Sequence, residues 1–457
     1  MKKFAIILAA GQGTRMKSDL PKVLHKLADK PMVSHVLDNF KKLSLDETFV
    51  VVGFGSDKVI EALPEDVRYV EQLEQNGTGH AVGMVRPLLG TVEGMTIVAY
   101  GDMPLITAES LQKLMDFHEE SASTATVLTG IATNPFGYGR IIRENGEVTK
   151  IVEQKDATDD EKAVTEVNTG IYVFDNRKMF MALSQLKTDN AQGELYLTDV
   201  VEILKNAGDK VSAYTLENFD ESLGINDRVQ LAQAEKTLRA RINLTHMLNG
   251  VSLINPETTY IGADVVIGTD TVIEGNVTIK GKTTIGRKCL ITNGSRIENS
   301  MIHGRVTINN STVEGSTMEL DSNCGPYAHL RPGTVLHEDV HIGNFVEVKA
   351  SSLGRGTKAG HLTYLGNTVV GEKVNFGAGT ITANFDGKNK FQTEIEDFAF
   401  IGSNSTIIAP VHIGRNAVTA GGSTITKNVA DDSVAIARGR QVDKIGLAKK
   451  MPHYRGE

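Results

Sequence analysis

From Tyr260 to Gly286 the chain reads YIGADVVIGTDTVIEGNVTIKGKTTIG, and isoleucine returns every sixth position at Ile261, Ile267, Ile273, Ile279 and Ile285, continuing to Ile291 and Ile297. An α-helix repeats near 3.6 residues and a flat strand near 2, so a period of six fits neither. It fits short strands joined by corners, with one apolar side chain per side pointing inward, which is a β-solenoid. Gly262, Gly268 and Gly286 follow their isoleucines. Small or β-branched residues stand four positions further on (Val265, Thr271, Val277, Thr283, Cys289, Ser295), suiting a narrow interior turned by permissive corners.

The same beat resumes at Leu330, Leu336, Ile342 and Val348, shifts phase at Leu353, Ala359 and Leu365, shifts again at Val370 and Phe376, and returns at Ile401, Ile407, Ile413 and Ile425. The solenoid therefore fills the second half of the chain. With three hexads per coil, Val251 to Ile425 makes roughly ten coils, each supported mainly by its neighbours. Periodicity does not give handedness. The isoleucine-glycine-x-x-small-x pattern resembles the hexapeptide family of left-handed parallel β-helices, which implies acyl transfer and a homotrimer. Without that resemblance, a scaffold or trimerisation device fits the same repeat.

The chain has 457 residues, 23% of them charged, and a formal net charge of −8. That length holds two or three domains with ample core. No basic tract argues for nucleic acid or an anionic membrane, so a phosphate-bearing ligand must be held by local cations and backbone amides. The two cysteines, Cys289 and Cys324, form neither a zinc pattern nor a disulfide framework, and the expected compartment is a reducing cytoplasm. Met1-Lys2-Lys3 before an apolar run imitates a signal peptide. The run is too short and ends in Gly11-Gln12-Gly13-Thr14-Arg15, and no later stretch is long enough to span a bilayer.

Lys3 to Leu8 reads as a buried strand, followed by a glycine loop entering a helix. Such a loop lets backbone N–H groups approach phosphate oxygens, with Arg15 neutralising charge on them. Its spacing matches neither G-x-G-x-x-G nor the Walker pattern, and a plain turn accounts for it equally well. Leu20-Pro21-Lys22-Val23-Leu24 then places a lysine within reach of the same phosphates. Phe49 to Val52, the helix Ser56 to Leu63 and Thr96 to Tyr100 continue the alternation and predict a parallel, doubly wound sheet. Asp102 sits at a strand's carboxyl end, where ligands gather, and a carboxylate beside phosphates suits Mg²⁺; a turn aspartate is the plainer reading of an isolated Gly-Asp.

The run L-A-A-G-x-G-T-R-M with P-K-V-L, Gly77-Thr78-Gly79-His80-Ala81, Tyr100-Gly101-Asp102, Gly137-Tyr138-Gly139-Arg140, Ile151-Val152-Glu153, Asn168-Thr169-Gly170 and Gly224-Ile225-Asn226-Asp227 resembles the sugar-1-phosphate nucleotidyltransferases. With the hexapeptide half, almost the whole chain resembles the bacterial bifunctional N-acetylglucosamine-1-phosphate uridyltransferases and glucosamine-1-phosphate acetyltransferases, cytoplasmic enzymes of the route to cell-wall polysaccharide. The resemblance implies a Rossmann-like α/β domain over 1–228, a linker helix over 229–250 and a left-handed β-helix over 251–457. It implies that Leu8, Ala9, Ala10, Gly11, Gln72, Gly77 and Thr78 hold uracil and ribose, with Tyr100 and Gly101 beside them. Gly139, Glu153, Asn168 and Asn226 face the sugar, Asp102 and Asn226 ligate Mg²⁺, and Arg15 and Lys22 flank the phosphates of UTP. The chemistry agrees, because a sugar phosphate attacking the α-phosphorus needs positioning and charge neutralisation rather than a protein nucleophile.

From Asp227 to Asn249 there is no proline or internal glycine, and Leu231, Ala234, Leu238, Ile242 and Thr245 fall on one helical stripe that Gly250 ends. That stripe is read as a docking face for the chain's own domains. In the solenoid, regularity breaks at Gly325 to Gly333, at Gly360-His361-Leu362-Thr363-Tyr364, and in an excursion near Asn384 to Glu396. Acetylating a sugar amine requires loss of its proton, and histidine titrates in the useful range. The resemblance places that base at His361, glucosamine-1-phosphate on Arg331, Lys349, Tyr364 and Asn375, and acetyl-CoA along Ala378, Asn384, Phe385, Ser403, Gly421 and Arg438. The family commonly has tyrosine where Phe385 stands and alanine where Gly421 stands, so a hydroxyl contact from the first is lost here. Two other readings fit less of the chain: a single-activity nucleotidyltransferase with a structural β-helix, and a sugar-nucleotide sensor without catalysis. Residues 443–457 carry too little pattern to place.

Overall fold

The computed structural model describes residues 1–64, 66–453 and 455. They form two compact units, Met1–Leu238 and Arg239–Glu457, divided within the helix Arg228–Leu248.

The first unit is built on a mixed sheet. Its strands run, edge to edge, Val211–Thr215, Ala125–Ile131, Glu166–Asp175, Met95–Tyr100, Lys3–Ala9, Glu47–Val52 and Arg68–Glu71, with the hairpin Arg140–Glu144 and Glu147–Val152 attached to Glu166–Asp175. Lys3–Ala9 is parallel to both its neighbours, as expected, but Glu166–Asp175 runs antiparallel to Met95–Tyr100 and Ala125–Ile131. The expectation of an all-parallel sheet is thus corrected. The hairpin before Glu166 returns the chain from the opposite end, and alternation of strand and helix signals does not encode that reversal.

Along Lys3–Ala9 successive residues enter two cores, Ala5, Ile7 and Ala9 on one face and Phe4, Ile6 and Leu8 on the other. Burial on both faces explains the unbroken apolar run. The chain winds outward from this strand through Glu47–Val52 to Arg68–Glu71, then crosses back to Met95–Tyr100 on its other side. That reversal makes a crevice beyond the carboxyl ends of Lys3–Ala9 and Met95–Tyr100, where open α/β sheets bind ligands.

In Arg228–Leu248, Ala234 is buried with Leu27, Met32, Leu105 and Ile225, while Leu231 and Leu238 flank them. Further along, Ile242 and Met247 pack on the solenoid core. Gly250 takes a left-handed φ of 87°, and the Gly250 and Val251 amides cap the last turn on the carbonyls of Met247 and His246.

The second unit is a left-handed β-helix of hexapeptide repeats, with three parallel sheets of 11, 10 and 9 strands. Each sheet stacks one inward residue per coil: Ile261, Ile279, Ile297, Val313, Leu330, Val348 and Leu365 form one ladder. All are buried. The phase shifts are sides shortened by one residue, as from Ile297 to Ile302 and Ile308 to Val313, turned at Asn299 and Asn310 with positive φ. The glycines after the isoleucines have a different role from the one expected. A Cβ on Gly268 would lie 2.7 Å from Gly286, and one on Gly343 1.9 Å from the Gly360 carbonyl, so close approach of stacked coils requires glycine there. Left-handed φ is carried by other corner residues, including Asp270, Asn276 and Lys288.

Candidate functional site

The crevice of the first unit is a cavity of about 410 Å³ lined by Leu8, Ala9, Ala10, Gly11, Lys22, Gln72, Gly77, Thr78, Tyr100, Asp102 and Asn226, with Val23, Gln75, Ala81 and Glu194. The order of the sheet explains this gathering. Lys3–Ala9 delivers Ala10 and Gly11, Met95–Tyr100 delivers Asp102, and Asn226 precedes the helix Arg228–Leu248. Ile225 donates its backbone N–H to the Asp102 carbonyl at 3.0 Å, which fixes Asn226 beside Asp102.

Lys22 reaches between them. Its ammonium contacts Asp102 Oδ2 and donates to Asn226 Oδ1 at 2.8 Å, with both charged side chains less than a fifth exposed. Two oxygen donors from distant segments thus converge on one cation. Gly13 makes this packing possible: it adopts φ 66°, and a Cβ there would lie 2.4 Å from the Lys22 Cβ. The loop after Gly11 is a single 3-10 turn, Thr14–Met16, rather than the start of a helix, and Arg15 on it stands exposed outside the cavity lining.

The far wall is set by backbone. Gln72 is buried and donates to the Gly77 carbonyl at 3.2 Å, and Gln75 donates to the Ala10 carbonyl at 3.0 Å. Gly77 has φ 106° and lies against the Leu195 backbone, while Thr78 Oγ1 accepts from the Leu197 N–H at 3.1 Å. Tyr100 lies between this wall and the remaining expected residues. Burial, then the Glu153 carboxylate, raise its pKa far above the ordinary phenol value.

Gly139, Glu153 and Asn168 form a cluster of their own. A Cβ on Gly139 would lie 3.4 Å from Glu153 Oε1 and 3.5 Å from the Asn168 Cβ. Asn168 donates from Nδ2 to the Tyr172 hydroxyl at 2.7 Å and accepts from the Gly170 N–H. Burial raises the pKa of Glu153. Glu153 opens onto a second cavity of about 430 Å³, shared with Asp156, Tyr196 and Asp199, and burial pushes Asp199 up to about 6.

On the β-helix, successive corner residues build a column. The corners at Phe345, Leu362, Gly379, Asn404 and Gly422 all have positive φ and are preceded by Asn344, His361, Ala378, Ser403 and Gly421. Backbone bonds tie them coil to coil: Leu362 N–H to the Asn344 carbonyl, Gly379 to Leu362, Asn404 to Ala378, and Gly422 to Ser403. Arg438 follows, exposed, its Cδ 3.8 Å from where a Gly422 Cβ would stand. His361, Ala378, Ser403, Gly421 and Arg438 therefore line one edge of the prism. His361 ends the strand Lys358–His361, is exposed, and has Nδ1 3.0 Å from Asn344 Oδ1.

The adjoining side carries the cations. Lys349 pairs in register with Gly366, and the Arg331 N–H bonds the Val348 carbonyl. Arg331 Nη1 donates to Glu347 Oε1 at 2.8 Å. The Lys390 ammonium beside Lys349 holds its pKa below the usual lysine value. Tyr364 pairs with Glu347 on the same side, and its hydroxyl lies near Gly366. Asn375 lies instead on the side of His361, in the strand stacked above Lys358–His361 and paired with Lys358. The excursion between Ile381–Ala383 and Thr393–Ile395 is pinned by buried Asn384, which donates to Asn367 Oδ1 at 2.7 Å, and by a bridge between Phe385 and Lys390. Phe385 is exposed.

Residues 5–192 match the model of a MobA-like NTP transferase domain, 249–352 that of a GMPPB C-terminal domain, and 392–427 the bacterial transferase hexapeptide repeats. Over its full length the chain is 64% identical to the bifunctional protein GlmU of Lactococcus lactis subsp. lactis strain IL1403, covering all of both chains. It is 57% identical to that of Streptococcus mutans serotype c and 58% identical to that of Streptococcus thermophilus strain LMD-9, covering 99% of each chain. The chain belongs to the family of bifunctional GlmU proteins. It is accordingly an enzyme of UDP-N-acetylglucosamine synthesis with uridylyltransferase and acetyltransferase activities.

Within this GlmU-family chain, four residues at the two sites escaped the sequence reading: Gln75, Glu194, Asn344 and Lys390. Gln75 follows Gln72 at a spacing of three, and Glu194 opens the Glu194-Leu195-Tyr196-Leu197 run that clasps Gly77 to Gly79. Lys390 sits in the excursion already singled out as a carrier of binding groups. Asn344 carried a faint signal, since it precedes a corner one coil below His361.

Proposed function

We propose that the first unit transfers UMP from UTP to N-acetylglucosamine-1-phosphate in the cavity bounded by Leu8 to Gly11, Gln72, Gly77, Thr78 and Asp102. The observation that carries this is the convergence of Asp102 and Asn226 on the Lys22 ammonium: a cation already fits between those oxygens. The donor set suits Mg²⁺, which takes few protein oxygens and fills its other positions with phosphate or water. Bound there, the ion neutralises phosphate charge. Gly11 leaves open space for a nucleotide to approach the backbone. Lys22 balances charge on the phosphates, Arg15 closes on them from its exposed turn, and Gly139, Glu153 and Asn168 orient the sugar. The acceptor phosphate oxygen attacks the α-phosphorus, and pyrophosphate leaves.

On the second unit, glucosamine-1-phosphate sits with its phosphate toward Arg331, Lys349 and Lys390 and its amine toward His361, with Tyr364 and Asn375 beside it. Acetyl-CoA follows Ala378, Ser403, Gly421 and Arg438, with Asn384 and Phe385 on the excursion; Phe385 contributes an apolar face without a hydroxyl. The amine nitrogen bonds the thioester carbonyl carbon, its proton passes to His361, and as the carbon–sulfur bond breaks His361 returns that proton to the leaving sulfur, releasing the coenzyme thiol. A homotrimer in the cytoplasm completes this reading. The trimer is supported by Val266, Met301 and Val369, half-exposed apolar members of one register column of the prism surface that also holds Thr284, Thr317 and Ser352. No helix among the described residues is long and apolar enough to cross a membrane.

The test supplies glucosamine-1-phosphate, acetyl-CoA, UTP and Mg²⁺ to the purified protein and follows free thiol and UDP-N-acetylglucosamine together. Both are expected to rise. Product formed from supplied N-acetylglucosamine-1-phosphate, with no thiol released from glucosamine-1-phosphate, would remove the acetyl-site assignment and leave the first unit's intact.

A further inference from the structure

The imidazole of His361 has one polar neighbour whose chemistry settles which nitrogen is free. Asn344 and His361 are register partners on adjacent coils, and the Leu362 N–H bonds the Asn344 carbonyl at 3.1 Å, so the two side chains leave the prism edge side by side. Asn344 Oδ1 lies 3.0 Å from His361 Nδ1. An amide oxygen can only accept, so this contact requires a proton on Nδ1 and leaves Nε2 with its lone pair. Nε2 is then the basic atom of an exposed ring.

We propose that Asn344 is a positioning residue for acetyl transfer: it holds His361 in the Nδ1–H tautomer with Nε2 free to take the amine proton. The inference rests on the reading of His361 as the base. An amide suits this task in a way that a carboxylate does not. Aspartate at this place would also hold the tautomer, but it would favour the imidazolium and keep the base protonated to higher pH. Neutral Asn344 orients the ring without charging it. The titratable groups packed around the ring leave this logic intact. On the coil below, His341 donates from Nδ1 to Asn323 Oδ1, and its pKa is held below the ordinary histidine value by burial, then by Lys358 and His361. On the histidine's own strand stands Lys358, and the coil above presents the uncharged Asn375. No carboxylate stands in these strands to compensate a charge on His361, and the hydrogen bond from Nδ1 is the ring's anchor.

The measurement is acetyl transfer by the full chain against pH for Asn344→Ala, Asn344→Asp and His361→Ala, with uridylyl transfer on the other unit as the folding control. Asn344→Ala is expected to lower kcat about five- to tenfold, the share of one hydrogen bond, with KM for glucosamine-1-phosphate unchanged. Asn344→Asp is expected to restore kcat at high pH while moving the acid limb upward. Nitrogen-15 spectra of the His361 ring should show Nδ1 protonated in the native chain and a mixture of tautomers in Asn344→Ala. If His361→Ala loses the rate but Asn344→Ala keeps both kcat and the acid limb, the positioning role is overturned and the base stands. If His361→Ala itself retains the rate, the base assignment falls, and this inference with it.

Discussion

Asp102 and His361 stand on different units, and that separation makes their substitution informative. Asp102→Ala removes one of the two oxygens that converge on Lys22 and leaves Asn226 alone. It is expected to abolish uridylyl transfer while acetyl transfer stays near its normal rate, measured on one preparation. His361→Ala should lower acetyl transfer by at least about a hundredfold, the lower end for a lost general base, with uridylyl transfer unaffected. Loss of both activities in either folded variant would refute separate sites. Asp199 gives a prediction on stability. Burial, then Glu202, raise its pKa from 3.8 to about 6, so the folded first unit binds this proton more tightly than the unfolded chain does. Across that window the folded state holds more protons, so stability falls as pH rises from about 4 to about 6 and then levels off. Melting curves of Asp199→Asn should lose this part of the slope; an unchanged pH profile would show that the carboxyl ionises freely in the folded protein.

At the scale of elements, what the sequence disclosed follows how local the cause was. The hexad isoleucines announce the β-helix because each obeys the same constraint on every coil. The antiparallel strand Glu166–Asp175 announced nothing, because its direction is set by a hairpin and by pairing with strands far away in sequence. At the sites, Lys22, Asp102 and Asn226 were legible through motifs, whereas Asn344 and Lys390 acquire meaning only once coils stack and the excursion folds back. Arg15 was legible as a cation but not as one standing outside the cavity lining, since a loop's path is not written in its composition. The glycines offer a direct test of stacking. Gly343 and Gly360 are stacked on adjacent coils, yet a Cβ on Gly343 would meet the Gly360 carbonyl at 1.9 Å, whereas one on Gly360 has nothing within 4 Å. Gly343→Ala should destabilise the β-helix by about 1–3 kcal/mol, as overpacking does, and Gly360→Ala should leave its melting temperature nearly unchanged. Equal effects would mean that the coils are free to spread, and that close approach is not the reason for glycine there.

For the molecule as a whole, the order of its two reactions follows from their chemistry: the acetylated sugar phosphate made by acetyl transfer is the acceptor for uridylyl transfer. The units differ in what they need. Under the proposed assignment, phosphate charge in the uridylyl site would be met by Lys22 and by a cation between Asp102 and Asn226, whereas the acetyl site would meet its single phosphate with Arg331, Lys349 and Lys390 alone. Chelating divalent cations with EDTA is therefore expected to stop pyrophosphate release and leave thiol release at its full rate. With Mg²⁺ present and glucosamine-1-phosphate as the only sugar, thiol should appear at once. Pyrophosphate should follow after a lag that vanishes when N-acetylglucosamine-1-phosphate is supplied, because the second site then no longer waits for the first. Pyrophosphate released without a lag from glucosamine-1-phosphate would show that the first unit accepts the free amine directly. The cluster of Gly139, Glu153 and Asn168 would then not select for the acetyl group, and the order of the two steps would be set by concentration rather than by the site.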